Sequence, residues 1–117
     1  ALFVDGEPRL GVVHNPFTGD VYSAVTGEGA YLNGKRIHVS DRPLPDCMFA
    51  TAWCAYGKEL SEGCFEVSRD MYRRCNDIRR IGTAALELCL LAQGAIDLYF
   101  EIRLSPWDHA AALICVK

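Results

Sequence analysis

The spacing of apolar positions changes near residue 47 and divides the chain into two kinds of structure. In the first part, short runs alternate in the manner of strands and are separated by turn dipeptides. Ala1 to Val4 reads as a strand, Asp5-Gly6 as a hairpin turn, and Arg9 to His14 as the partner strand, with Leu10, Val12 and Val13 as its apolar content. Asn15-Pro16 ends that strand, because the residue before a proline is pushed out of the helical region and proline has no N–H for a ladder. Val21 to Thr26 alternates again, with Tyr22, Ala24 and Thr26 on one face. Tyr31 to Ile37 is the clearest local signal. Its Asn33-Gly34 pair tolerates positive φ at both central positions of a type I′ turn. Together these segments predict an antiparallel meander, closed by an irregular Ser40 to Asp46 connector that carries Pro43 and Pro45.

The second part alternates strands with helices. Cys47 to Trp53 is an apolar strand, and Glu59 to Cys75 places Leu60, Cys64, Val67, Met71 and Cys75 at helical spacing. Asp77 to Ile81 is a strand. Thr83 to Gln93 is a helix apolar on nearly every side, so both its faces should be covered, and Gly94 stops it. Ile96 to Glu101 is a strand with Leu98 and Phe100 on one face. Ser105 caps a last helix whose first position is Pro106. The fold class expected is α/β: a layered arrangement in which an antiparallel meander precedes alternating strands and helices.

Composition narrows the function classes. At 117 residues the chain is one domain at most, and with no initial Met and a start inside an apolar run it is expected to be a piece of a longer protein, with 1–117 a single partial domain. A net charge of −3 with no basic run gives little support to nucleic-acid binding through phosphate neutralisation. The apolar stretch around Leu86 to Ala92 falls far short of the ~20 residues of a membrane span, and these residues show no charged-then-apolar run to suggest secretion. The six cysteines include no C-x-x-C pair, which argues against a zinc site and for reduced thiols in a cytoplasmic protein. Cys54 or Cys75 as a nucleophile would need a nearby histidine and an oxyanion hole, which nothing in the sequence identifies, and His14, His38 and His109, which share no spacing with one another, read as structural or exposed.

Three places carry candidate chemistry, each with a plainer alternative. Asp108 lies three residues after Ser105, as in a capping box; an acid there also suits the helix dipole, and a carboxylate there can also ligate a metal. Glu101 ends an apolar strand, either as a solvated strand end or at the carboxyl edge where α/β sheets collect ligands. Gly82-Thr83-Ala84 joins a strand to a buried helix, either as an ordinary junction or as exposed N–H groups that receive hydroxyl or phosphate oxygens.

In order, these segments closely resemble the inositol monophosphatase family. The resemblance rests on Ile78-Arg79-Arg80-Ile81-Gly82-Thr83-Ala84-Ala85-Leu86-Glu87-Leu88-Cys89, on Ala92 to Glu101, and on Pro106-Trp107-Asp108-His109-Ala110-Ala111. Gly11 to Pro16 and Gly27 to Ile37 agree as well, so it covers essentially the whole chain. It implies part of the αβαβα sandwich shared with fructose-1,6-bisphosphatase and a Mg²⁺-dependent phosphomonoesterase acting on inositol monophosphate or a related sugar or polyol phosphate. By position, Asp108 would be a metal ligand, Glu101 would bind a substrate hydroxyl, and Gly82, Thr83 and Ala84 would present hydroxyl and backbone groups to the substrate. Homodimers are implied too. The family's remaining acidic ligands would lie upstream of Ala1, and the only Asp-Gly here, Asp5-Gly6, is a hairpin turn. The isolated chain is therefore expected to be inactive and the full-length protein to be a phosphatase. Fructose-1,6-bisphosphatase or adenosine 3′-phosphate phosphatase activity, and a non-catalytic binding module on the same fold, stand as alternatives.

Overall fold

The structure, a computed structural model, describes residues 1–53 and 57–116, so the Cys54 reading lies outside the described residues. Five strands form an antiparallel sheet in chain order: β1 (Leu2–Val4), β2 (Glu7–His14), β3 (Val21–Val25), β4 (Gly29–Leu32) and β5 (Lys35–Ile37). Both tight hairpins use positive φ as the turn dipeptides require, with Asp5 at 53° and Gly6 at 81°, and Asn33 at 50° and Gly34 at 78°. Thr26 lies beyond the end of β3 and is exposed, unlike Tyr22 and Ala24; its hydroxyl donates to the Pro8 carbonyl at 2.7 Å.

The second sheet is parallel, with β6 (Met48–Thr51) between β7 (Asp77–Arg79) and β8 (Leu98–Phe100). Helix α1 (Ser61–Arg74), entered through a 3-10 turn at Lys58–Leu60, packs on β6 and β7. Helices α2 (Ala84–Ala92) and α3 (Pro106–Val116) pack on each other, α3 against β2, β3 and β4, and α2 also against β8. The order of layers is antiparallel sheet, α2 with α3, parallel sheet, α1. No helix of the described residues is long and apolar enough to cross a membrane.

Two cores hold these layers together. Tyr22, Ala24, Ala30, Leu88, Cys89, Ala92, Ala112, Ile114 and Cys115 join the antiparallel sheet to α2 and α3, while Cys47, Phe49 and Cys75 with Val67, Met71, Leu98 and Phe100 join the parallel sheet to α1. Leu98 and Phe100 share a face, and Tyr99 between them points into the other core, as a period of two demands. The five described cysteines are free and buried. Gly11 permits the close approach of α3 to β2, since a Cβ there would lie 2.2 Å from the Ala111 carbonyl oxygen.

The strands of the parallel sheet are shorter than the alternation predicts. Asp97, expected inside a strand, lies just before β8; its N–H donates to the Met48 carbonyl at 3.0 Å, and its carboxylate accepts from the Met48 N–H at 2.5 Å and the Arg42 guanidinium at 2.8 Å, with Ser40 as a third donor. Burial pushes the Asp97 carboxyl up, but the bonds from Ser40, Met48 and Arg42 outweigh it and hold the group below the usual carboxylate range. Beyond β7, Gly82 at φ 91° bends the chain into α2.

Candidate functional site

Parallel strands leave their carboxyl ends on one edge, and here that edge opens into a cavity of about 280 Å³. Trp53 follows β6, Arg80 follows β7 and Glu101 follows β8; all three line it. The start of α2 contributes Gly82, Thr83, Ala84 and Ala85, and the start of α3 contributes Trp107 and Asp108. Glu101, Asp108, Gly82, Thr83 and Ala84 thus share one concavity, although they come from three different junctions.

Each is held by its own element. Asp108 Oδ2 accepts the Ser105 N–H at 3.0 Å, and the Asp108 N–H donates to the Ser105 carbonyl at 2.9 Å. This is the acidic arm of a capping box. It leaves Oδ1 outside the cap, so capping and ligation can coexist in one side chain. Thr83 occupies the N-cap position of α2 but makes no side-chain cap bond. Its backbone is extended, and only its carbonyl joins the helix, accepting the Glu87 N–H at 2.9 Å.

Glu101 accepts a hydrogen bond from the Tyr99 hydroxyl at 2.5 Å. Burial first, then that bond and the nearby carboxylates of Glu101, Glu87 and Asp108, push the Tyr99 hydroxyl well above the usual phenol range. The phenol therefore stays a donor. Tyr99 was legible as a partner, because residues two apart on a strand face the same way.

Glu87 carried no sequence signal beyond its place in an apolar helix. Its side chain is fully buried, Oε1 accepts the Ile81 N–H at 2.9 Å, and Oε2 has no partner among the described residues. The bond ties α2 to the segment entering the Gly82 turn. His109 Nδ1 is likewise buried without a partner, and exposed His14 and His38 stand apart from the cavity. Of the arginine pairs, Arg73 and Arg74 are exposed, Arg79 pairs with Asp77, and Arg80 lies over the Trp53 ring, 5.4 Å from its centroid.

The donor set for a metal is partial. Among the described residues no three His, Cys, Asp or Glu side chains gather into a group that could hold one. Asp108 fits as one oxygen ligand of a hard cation, whose six oxygens would have to be completed from outside this chain.

Comparison with known proteins follows the same lines. The sequence model of the inositol monophosphatase family matches residues 1–117. The chain is 40% identical over 113 residues to the Nus factor SuhB of Vibrio cholerae, covering 96% of this chain and 42% of that protein. Inositol monophosphatase from Anabaena superposes with a TM-score of 0.90 at 31% identity, over 97% of this chain and 46% of the other. The inositol monophosphate-bound IMPase-II of Staphylococcus aureus superposes with a TM-score of 0.82 at 27% identity, over 97% and 43%. The chain spans less than half the length of each of these relatives.

Proposed function

The chain belongs to the inositol monophosphatase family, and from that premise we propose that the full-length protein is a Mg²⁺-dependent phosphomonoesterase of a small phosphorylated polyol or sugar, with inositol monophosphate as the leading candidate. The observation that carries this reading is the convergence of Glu101, Asp108 and the Gly82-Thr83-Ala84 turn on one cavity at the carboxyl edge of the parallel sheet. The family and its solved members support a phosphatase-like hydrolase, and the family is generally metal-dependent. A cytoplasmic homodimer completes the reading.

Each residue then has a defined task. Asp108, fixed by its own cap, offers Oδ1 to the metal. Glu101, aimed by Tyr99, accepts a hydrogen bond from a substrate hydroxyl. The Thr83 hydroxyl, unused in capping, and the N–H groups at the start of α2 donate to oxygens of the substrate. The chemistry that Mg²⁺ supplies when bound is polarisation of the phosphoryl oxygens and a nucleophilic water at neutral pH. Fructose 1,6-bisphosphate and adenosine 3′-phosphates are the nearest competing substrates.

The name Nus factor, borne by the Vibrio cholerae relative, favours a second reading: a binding role in an assembly, with nucleic acid among its components, in place of hydrolysis. The expectation of no nucleic-acid partner stays open on that account. Phosphate release from inositol 1-phosphate by the full-length protein, with and without EDTA, separates the two. Release that EDTA abolishes supports the phosphatase; a folded protein that releases none leaves the binding role.

A further inference from the structure

Helix α2 begins without the device that usually fixes a helix start. Thr83 holds the N-cap place, but its backbone is extended and its hydroxyl caps nothing. Packing does not wedge the turn before it either. Gly82 is in the left-handed region at φ 91°, and a Cβ added there would meet nothing within 4 Å. Ile81, at the entrance, is half-exposed. Some other contact must hold these residues where they face the cavity.

Two bonds do so, and both end on Glu87. Its N–H donates to the Thr83 carbonyl, and its Oε1 accepts the Ile81 N–H, each at 2.9 Å. The bonds flank Gly82, so one residue a full turn inside α2 closes the loop. The side chain is fully buried in a helix that is otherwise apolar, and Oε2 has no partner among the described residues. A buried carboxyl oxygen in that state costs stability rather than adding to it. An apolar side chain would serve the fold better, so the task of Glu87 lies in the site. Glu87 is also close enough to Tyr99 to act on its hydroxyl, and thus stands behind the Tyr99–Glu101 pair as well as behind the turn.

We propose that Glu87 is the positioning residue of the site: through Ile81 it clamps the Gly82 turn from inside the helix and leaves the Thr83 hydroxyl free for a substrate oxygen. A threonine at the N-cap ordinarily spends its side-chain oxygen on the N–H groups of its own helix. With the turn fixed by Glu87, both that hydroxyl and the first N–H groups of α2 stay open to a ligand. The identity of the ligand rests on the phosphatase reading; the clamp does not.

The test uses the full-length protein and two variants. Glu87→Gln keeps an acceptor for the Ile81 N–H. Glu87→Met keeps an unbranched side chain and removes the acceptor, and water can take the N–H of half-exposed Ile81, so both should fold. Titration in Mg²⁺ with the phosphonate analogue of inositol 1-phosphate should show binding weakened about tenfold by Glu87→Met and held within about threefold by Glu87→Gln. Thr83→Val should weaken binding in the unaltered protein and much less beside Glu87→Met, a coupling that a purely structural role would not produce. Hydrogen exchange at residues 81–84 should quicken in Glu87→Met and not in Glu87→Gln. Equal weakening by the two variants, additivity with Thr83→Val, unchanged exchange in Glu87→Met, unfolding of Glu87→Met, or no binding by the unaltered protein overturns the proposal. Phosphate release from inositol 1-phosphate, assayed on the same samples, reports separately on the phosphatase reading. Glu87-dependent binding without any release would remove that reading and leave the clamp standing.

Discussion

Tyr99 donates its phenolic hydrogen to Glu101 Oε2 across 2.5 Å, so one short strand supplies both a carboxylate at the cavity and the group that aims it. Tyr99→Phe removes the donor with little change in volume. In the full-length protein, KM for inositol 1-phosphate should rise by about tenfold, the scale of one hydrogen bond to a charged group, while an aryl phosphate without hydroxyls should be little affected. Equal effects on the two substrates would deny Glu101 a recognition role. The raised Tyr99 pKa also has a sign: its neutral form contributes stability that is fully present below the ordinary value of 10.0 and lost as pH rises past it. Urea midpoints measured above pH 10 should therefore fall less steeply in Tyr99→Phe than in the unaltered protein.

Asp108 combines a cap with an oxygen left over. Asp108→Asn keeps an acceptor for the Ser105 N–H, so stability should drop by less than about 1 kcal/mol. Mg²⁺-dependent turnover should drop by about two orders of magnitude or more, as loss of a charged ligand demands. Retained turnover alongside an intact thermal transition would remove the metal assignment.

Asp97 is a structural carboxylate that joins three segments through Ser40, Arg42 and Met48. Its lowered pKa means that the stability it contributes is present above the unfolded value of 3.8 and lost as pH falls below it. Asp97→Asn should cost about 1.5–3 kcal/mol at neutral pH and flatten the acid limb of the stability curve. Chemical denaturation from pH 7 downward measures both; an unchanged acid limb would show that other groups set it.

Gly11 is required by proximity, since any Cβ would sit 2.2 Å from the Ala111 carbonyl oxygen. Gly11→Ala must push α3 away from β2, disturbing the helix that carries Asp108. A loss of about 1–3 kcal/mol, the usual range for overpacking, is expected by thermal or urea unfolding. Gly63→Ala, inside α1 where an added Cβ meets nothing within 4 Å, is the contrasting control and should stabilise by about 0.5–1 kcal/mol.

The sequence by itself determined the local chemistry. Asp5-Gly6 and Asn33-Gly34 force their turns through positive φ, the change of period near Cys47 marks the passage from meander to α/β, and Ser105 with Asp108 spells a cap, because each signal is complete within a few residues. Tertiary structure decided what those signals share. It shortened the parallel strands and brought three donors from distant segments onto the Asp97 carboxylate. It left the Thr83 hydroxyl out of its cap, set Arg80 on Trp53, and buried Glu87 beneath the Gly82 turn. These outcomes depend on which strand ends and helix starts meet across the sheet edge, and that distance is fixed by strand order and by the close approach at Gly11, not by any neighbour in the chain.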